Sequence, residues 1–199
     1  MKTPRIKQQG TVLIFSLVIL IVLTLLGISA MQVSTMEEIM AGNMKDCNQG
    51  FQAAEAAIRD ATNWLSTRTQ KPQSNLSATN NVYSIDAYTL GDALTPATLN
   101  FDWDNYAIGY GALDAGSATI TNVIGSCNPG TAPSGAVMTD LYSLPCSVIE
   151  EHDFIPDDLD PDTYAKGIGR NYYRITSRGF GGTPKAQPRL EAILYLRYN

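Results

Sequence analysis

TVLIFSLVILIVLTLLGISAMQVSTM, residues 11–36, holds 26 residues without one charged side chain. About 20 apolar residues in a helix, at about 1.5 Å each, cross a ~30 Å hydrocarbon core. The segment before it carries Lys2, Arg5 and Lys7 and ends in Gly10. Positive charge stays on the cytoplasmic side, so the run predicts a single-pass segment oriented N-in, with the chain beyond residue 36 outside. The run excludes a simple soluble domain. No second run of this kind occurs in the 199 residues, which excludes a polytopic membrane protein. The 44% apolar content excludes a disordered chain, because so much cannot be left unburied.

Charge is segregated outward from this run. Between Lys71 and Lys166 there is no Lys or Arg, but there are 13 acidic residues. From Lys166 to Asn199 there are seven basic residues and one acidic, Glu191. The net charge of −5 therefore averages a neutral stalk, an acidic middle and a basic end. Nucleic acid is not an expected partner, because its binding needs a broad basic surface that displaces counterions.

Beyond residue 36 the pattern stays helical. Phe51, Ala54, Ile58, Ala61 and Leu65 fall at helical steps and predict one apolar stripe, read as a core face packed on a sheet or as a seam for a partner helix. Glu55 and Arg59 sit four apart and predict an ion pair on the helix surface. Gly27, Gly42 and Gly50 are expected to interrupt the helix, with Gly42-Asn43 as a place for a bend. Lys71-Pro72 is expected to end it, since Pro cannot continue a helix.

Residues 75–165 read as a loop-rich region with short strands at Val82–Ile85 and Ala118–Ile124. The clearest strands are Tyr172–Phe180 and Arg189–Tyr198, joined through Gly181-Gly182-Thr183-Pro184-Lys185 as a hairpin with a longer loop. The last strand is expected to pack its apolar face on the helix. The fold class is therefore α+β, a long N-terminal transmembrane helix packed on a C-terminal antiparallel β-sheet domain.

The start of the apolar run carries a more specific signal. A basic segment before an apolar run suits an uncleaved signal anchor, and Ser29-Ala30 resembles an ordinary signal-peptide cleavage site. Lys7-Gln8-Gln9-Gly10 followed at once by Thr11-Val12-Leu13-Ile14, however, resembles the leader and cleavage site of type IV prepilins. Leu23-Thr24-Leu25-Leu26-Gly27, Thr35-Met36-Glu37-Glu38, Met40-Ala41-Gly42-Asn43-Met44 and Phe51-Gln52-Ala53-Ala54-Glu55-Ala56-Ala57 resemble the PilX family of minor pilins. The resemblance covers about residues 7 to 60.

It implies a pilin-like ladle with four parts: residues 1–10 as prepilin leader peptide, 11–36 as the transmembrane and assembly half of the helix, 37–71 as its amphipathic half, and 72–199 as a globular β-rich periplasmic domain. It implies cleavage by prepilin peptidase between Gly10 and Thr11 and N-methylation of Thr11. Loss of the three leader charges would take the mature chain from −5 to −5 − 3 = −8. Most pilins carry Glu at the fifth mature position; here that position is Phe15. A carboxylate in lipid or in an apolar fibre core is costly unless paired, and a subunit with Phe15 offers none. Among pilin-like proteins the exception is the tip-associated subunit of related secretion systems, so the resemblance implies a tip or initiation role over bulk shaft.

The resemblance further implies a subunit held in the inner membrane of a Gram-negative bacterium and then in the surface pilus. There it would prime or cap the fibre and support twitching motility, adhesion and aggregation. The implied partners are other minor pilins, the major pilin, prepilin peptidase, the inner-membrane assembly platform and, before assembly, the lipid bilayer. A pseudopilin of a type II secretion system and a membrane-anchored periplasmic enzyme are the alternatives.

Three cysteines fall where disulfides are allowed, outside the cytoplasm. Cys127 and Cys146 flank a Pro- and Gly-rich stretch; the expected disulfide joins them, the alternatives being a pairing that uses Cys47, or free thiols. Asp158, Asp160 and Asp162 have the first spacing of a calcium loop, but Thr163 and Gly169 stand where its turn glycine and bidentate Glu belong. A looser calcium site and a solvated acidic loop both fit; no other cofactor or metal is expected, since there is no CxxC and one histidine. His152 lies between Glu151 and Asp153 without a paired nucleophile, and no GxSxG, HExxH or Walker pattern occurs, so an enzyme is not expected. Asp102-Trp103-Asp104-Asn105-Tyr106 and Gly109-Tyr110-Gly111 place aromatics among turn residues, as loop anchors or as a binding face.

Overall fold

A computed structural model describes residues 11–74, 80–84, 103–113, 123, 127 and 140–198. The leader residues 1–10, most of the expected strand Ala118–Ile124, and Asp102 lie outside the described residues. The chain divides into two compact units, Met1–Met44 and Lys45–Asn199.

Helix α1 runs Thr11–Ser66, unbroken through Gly27, Gly42 and Gly50, so the expected interruptions do not occur. Single glycines weaken a helix by only about 1 kcal/mol each, and the surrounding Ala, Leu, Met and Ile residues sustain it. The helix ends before the expected stop at Lys71-Pro72. Ser66 Oγ donates to Asn63 O at 2.9 Å and Thr67 Oγ1 to Trp64 O at 2.8 Å. These hydroxyls compete for the last-turn carbonyls, and the Arg68 N–H closes a tighter turn on Leu65 O at 3.2 Å.

In the second unit an antiparallel meander follows: β1 (Ile108–Gly109), β2 (Cys146–Pro156), β3 (Gly169–Arg178) and β4 (Arg189–Leu196), in that spatial order. A short helix α2 (Trp103–Tyr106) precedes β1, and α3 (Pro161–Ala165) joins β2 to β3. The expected C-terminal hairpin is β3–β4, with Asn171 opposite Leu196 and Arg178 opposite Arg189. Tyr83 of the expected strand Val82–Ile85 forms one bridge beside Glu150 of β2. The long central strand β2 was not expected, because Glu150-Glu151-His152-Asp153 breaks the apolar alternation that marks a strand. A register shift between Glu151 and Asp153 places His152, exposed, in a bulge.

Side-chain alternation gives this sheet two faces with separate cores. On one face Ile149, Tyr173 and Ile175 pack against Ala61, Trp64 and Leu65 of α1, with Val82, Ile108 and Leu113. Leu194 and Leu196 of β4 join the rim of this cluster, so the last strand does turn its apolar face to the helix. On the other face Val148 and Cys146 pack with Tyr83, Trp103, Ala107 and Cys127.

The helix stripe is rotated from the sequence expectation. Ala54, Ala61 and Leu65 are buried and Ile58 is partly so, but Phe51 is 47% exposed. Its place at the seam is taken by Gly50, where contact is between backbones. A Cβ on Gly179 would stand 1.9 Å from Gly50 O, and a Cβ on Gly50 would stand 2.7 Å from Pro188 Cδ. So close an approach leaves no room for a ring, and Phe51 turns outward.

Candidate functional site: the apolar half of the helix

Residues 12–44 of α1 carry a dense row of exposed apolar side chains. Val12, Leu13, Ile14, Phe15, Leu20, Leu23, Leu26, Met31, Ile39 and Met40 are all more than half exposed. A contiguous apolar surface of this kind marks a membrane or protein contact. This is the one helix among the described residues long and apolar enough to cross a membrane.

Its polar groups are already quiet. Ser16, Thr24, Ser29 and Thr35 donate to Leu13 O, Ile21 O, Leu25 O and Met31 O at 2.8–3.0 Å. Such internal bonds remove the cost of placing hydroxyls in hydrocarbon. A helix also satisfies its own backbone, which is the condition for crossing a bilayer. The first turn holds no acidic residue, and Phe15 is 69% exposed. The helix surface is therefore apolar from its first turn.

Cys127 and Cys146 form a disulfide, with Cα atoms 5.8 Å apart, inside the second core cluster, while Cys47 is free and exposed. Trp103 is buried, with Arg178 and Arg189 stacked at 5.1 and 5.5 Å from its ring centroid. It anchors its loop, whereas Tyr106 and Tyr110 stay partly exposed.

At the other end of the sheet's connections, Asp46 on α1 receives the Thr183 N–H at 3.1 Å and the Thr183 hydroxyl. These bonds, led by the hydroxyl, hold the Asp46 carboxyl below its ordinary range. Glu150 is 2% exposed and takes Arg174 Nε and Nη2 at 3.0 and 2.9 Å. Burial, helped by Glu191, pushes Glu150 up to about 8. Arg174 is lowered by its own burial. Sequence reading missed this pair, for which the signal is a cross-strand register that exists only after β2 and β3 align.

The three aspartates of the expected calcium loop cap their own turn. Asp158 Oδ1 accepts the Asp160 N–H at 3.0 Å, Asp160 Oδ1 caps α3 by accepting the Asp162 N–H at 3.1 Å, and Asp162 pairs with Lys166 at 2.7 Å. No metal-holding group of carboxylate, His or Cys side chains forms among the described residues.

Residues 9–59 match the family model described as PilX N-terminal. No curated protein and no solved structure matches the chain.

Proposed function

From an N-terminal segment of the PilX type, which supports a minor-pilin role in type IV pili, we propose that this chain joins the initiating or tip complex of the fibre and does no chemistry of its own. The observation that carries the reading is the long apolar half of α1, whose large side chains are exposed among the described residues and which lies within the stretch that matches the family model. Such a surface suits two successive environments. It is held by acyl chains in the inner membrane, single-pass and N-in, and then by the apolar helices of neighbouring pilins.

Prepilin peptidase cuts between Gly10 and Thr11 and methylates Thr11, and the assembly platform then extracts the helix. Phe15 in place of a carboxylate supports a position at the start or end of a fibre over one repeated along its shaft. In that position its head meets other minor pilins and the first major pilins. Twitching, adhesion and aggregation follow from fibres being made. The reading needs no cofactor.

Intact-mass measurement of the protein from cells with active prepilin peptidase tests this. The expected mass is that of a chain beginning at methylated Thr11. A start near residue 31, or an intact Met1, overturns it in favour of an ordinary secreted or anchored domain. Deletion of the gene is expected to reduce surface fibres sharply; normal fibre number and length would remove the initiation role.

A further inference from the structure

The helix-packed face of the sheet extends past the point where α1 ends. Asn171 of β3 stands opposite Phe154 of β2 and two residues before Tyr173 of the core cluster, so both project from that face. Lys71 and Ser74 come beside them from the segment after the helix, and Tyr164 from the β2–β3 connection. They enclose a cleft of about 560 Å³. That lies in the range of small-molecule sites, ~300–1,000 Å³.

The chemistry of the walls is specific. Asn171 is 2% exposed, and its Oδ1 has no hydrogen-bond partner. Buried acceptors are almost always satisfied, so this one marks a place for a donor. Lys71 Nζ and Ser74 Oγ each donate to a different oxygen of Glu151. An ammonium has three donors, so Lys71 has capacity beyond that bond. Asp153 turns one carboxylate oxygen to its neighbour, the Phe154 N–H, at 2.7 Å. Phe154 and Tyr164 meet edge to face, with ring centroids 5.7 Å apart.

We propose that this cleft binds one ring of a carbohydrate, whose hydroxyls donate to Asn171 Oδ1 and accept from Lys71 while its C–H face lies on Phe154 and Tyr164. The other classes fit less well. The wall carboxylates of Glu151 and Asp153 outnumber the Lys71 ammonium and repel an anion. A cationic side chain competes with Lys71 for Glu151. A purely apolar ligand leaves Asn171 Oδ1 unmet. The proposal does not depend on the role in fibres, and its test needs none.

The full-length chain is purified in a zwitterionic detergent without a sugar headgroup. Methyl glucoside, methyl galactoside and methyl N-acetylglucosaminide are titrated in turn, followed by saturation-transfer NMR. A saturable response to at least one is expected, weakened by about tenfold in Asn171→Leu and in Tyr164→Ala. Tyr164 is 65% exposed, so Tyr164→Ala is expected to keep the parent unfolding temperature and remains decisive if Asn171→Leu fails to fold. No saturable response to any of the three glycosides overturns the proposal. So does a response that either folded variant leaves unchanged, or tighter binding of inorganic phosphate.

Discussion

The two halves of α1 differ in how much apolar residue they carry and meet different fates. Between Lys45 and Ser66 the helix buries a stripe of Ala53, Ala54, Ala57, Ala61, Trp64 and Leu65. Between Val12 and Met44 the large apolar side chains stay exposed. The C-terminal half is solved within the chain, because the sheet covers one face and charged or polar residues such as Glu55 and Arg59 take the other. The N-terminal half is apolar on every side as far as Met36, so no single face of a sheet satisfies it. A helix apolar on every side belongs in lipid or in a bundle of like helices. The stretch that stabilises the head and the stretch left exposed are therefore separable along one element.

This separation breaks most easily at Trp64. Trp64→Ala is expected to cost the head ~3–5 kcal/mol in denaturant unfolding of the full-length chain, with membrane insertion unchanged. A loss below about 1 kcal/mol would mean the helix–sheet core is not what holds the head. Cys127→Ser with Cys146→Ser is expected to cost about 3 kcal/mol in the same measurement, since the bridge closes the 19-residue separation between them. An unchanged midpoint under reducing and oxidising conditions would remove the disulfide from the account.

The reciprocal test lies in the apolar half. Val22→Arg, at the middle of the run, is expected to disfavour insertion by about 3 kcal/mol, read as the fraction of chain that fractionates with membranes. Unfolding of the head should not change, and a parallel loss there would end the separation.

The pH profile probes the buried Glu150. Its carboxyl lies near 8 when folded against an ordinary value of 4.5, so the folded head holds a proton that the unfolded chain has lost. Its contribution is full below about 4.5 and is lost as pH rises through 8. Stability is thus expected to fall across that window, and Glu150→Gln, neutral throughout, should flatten the slope. A parent profile that rises with pH would reverse the assignment. Smallest of all, Arg59→Ala breaks the exposed 2.6 Å pair with Glu55 and is expected to cost about 0.3–0.5 kcal/mol. A larger loss would mean Arg59 does more than pair on the surface.

Local signals were legible where a residue's fate depends on near neighbours. The apolar run, the Glu55–Arg59 pair, the β3–β4 hairpin and the Cys127–Cys146 bridge were all readable from spacing and residue type. Strand β2 was hidden because its charged residues look like a loop until Glu150 meets Arg174 and Glu151 meets Lys71. Phe51 was misplaced because helical spacing fixes which residues share a face only to within a residue or so. The rotation within that margin was set by Gly50 against Gly179, 129 positions further along the chain. The interval of two residues at Asp158, Asp160 and Asp162 fits a calcium loop and an Asx turn with a helix cap alike, and in the fold these side chains make the turn and the cap.

Composition and order alone determined that this chain has a helix too apolar to stay in water and a separate region able to form a core. Those properties are sums over local residues, and hydrophobic transfer is nearly additive over area. Which side of the helix is buried, which acids are paired, and that the buried Asn171 Oδ1 has no hydrogen-bond partner were decided only by the folded chain. Each depends on contacts between residues far apart in sequence, and burial gives such contacts their energy by removing the water that would otherwise satisfy both partners.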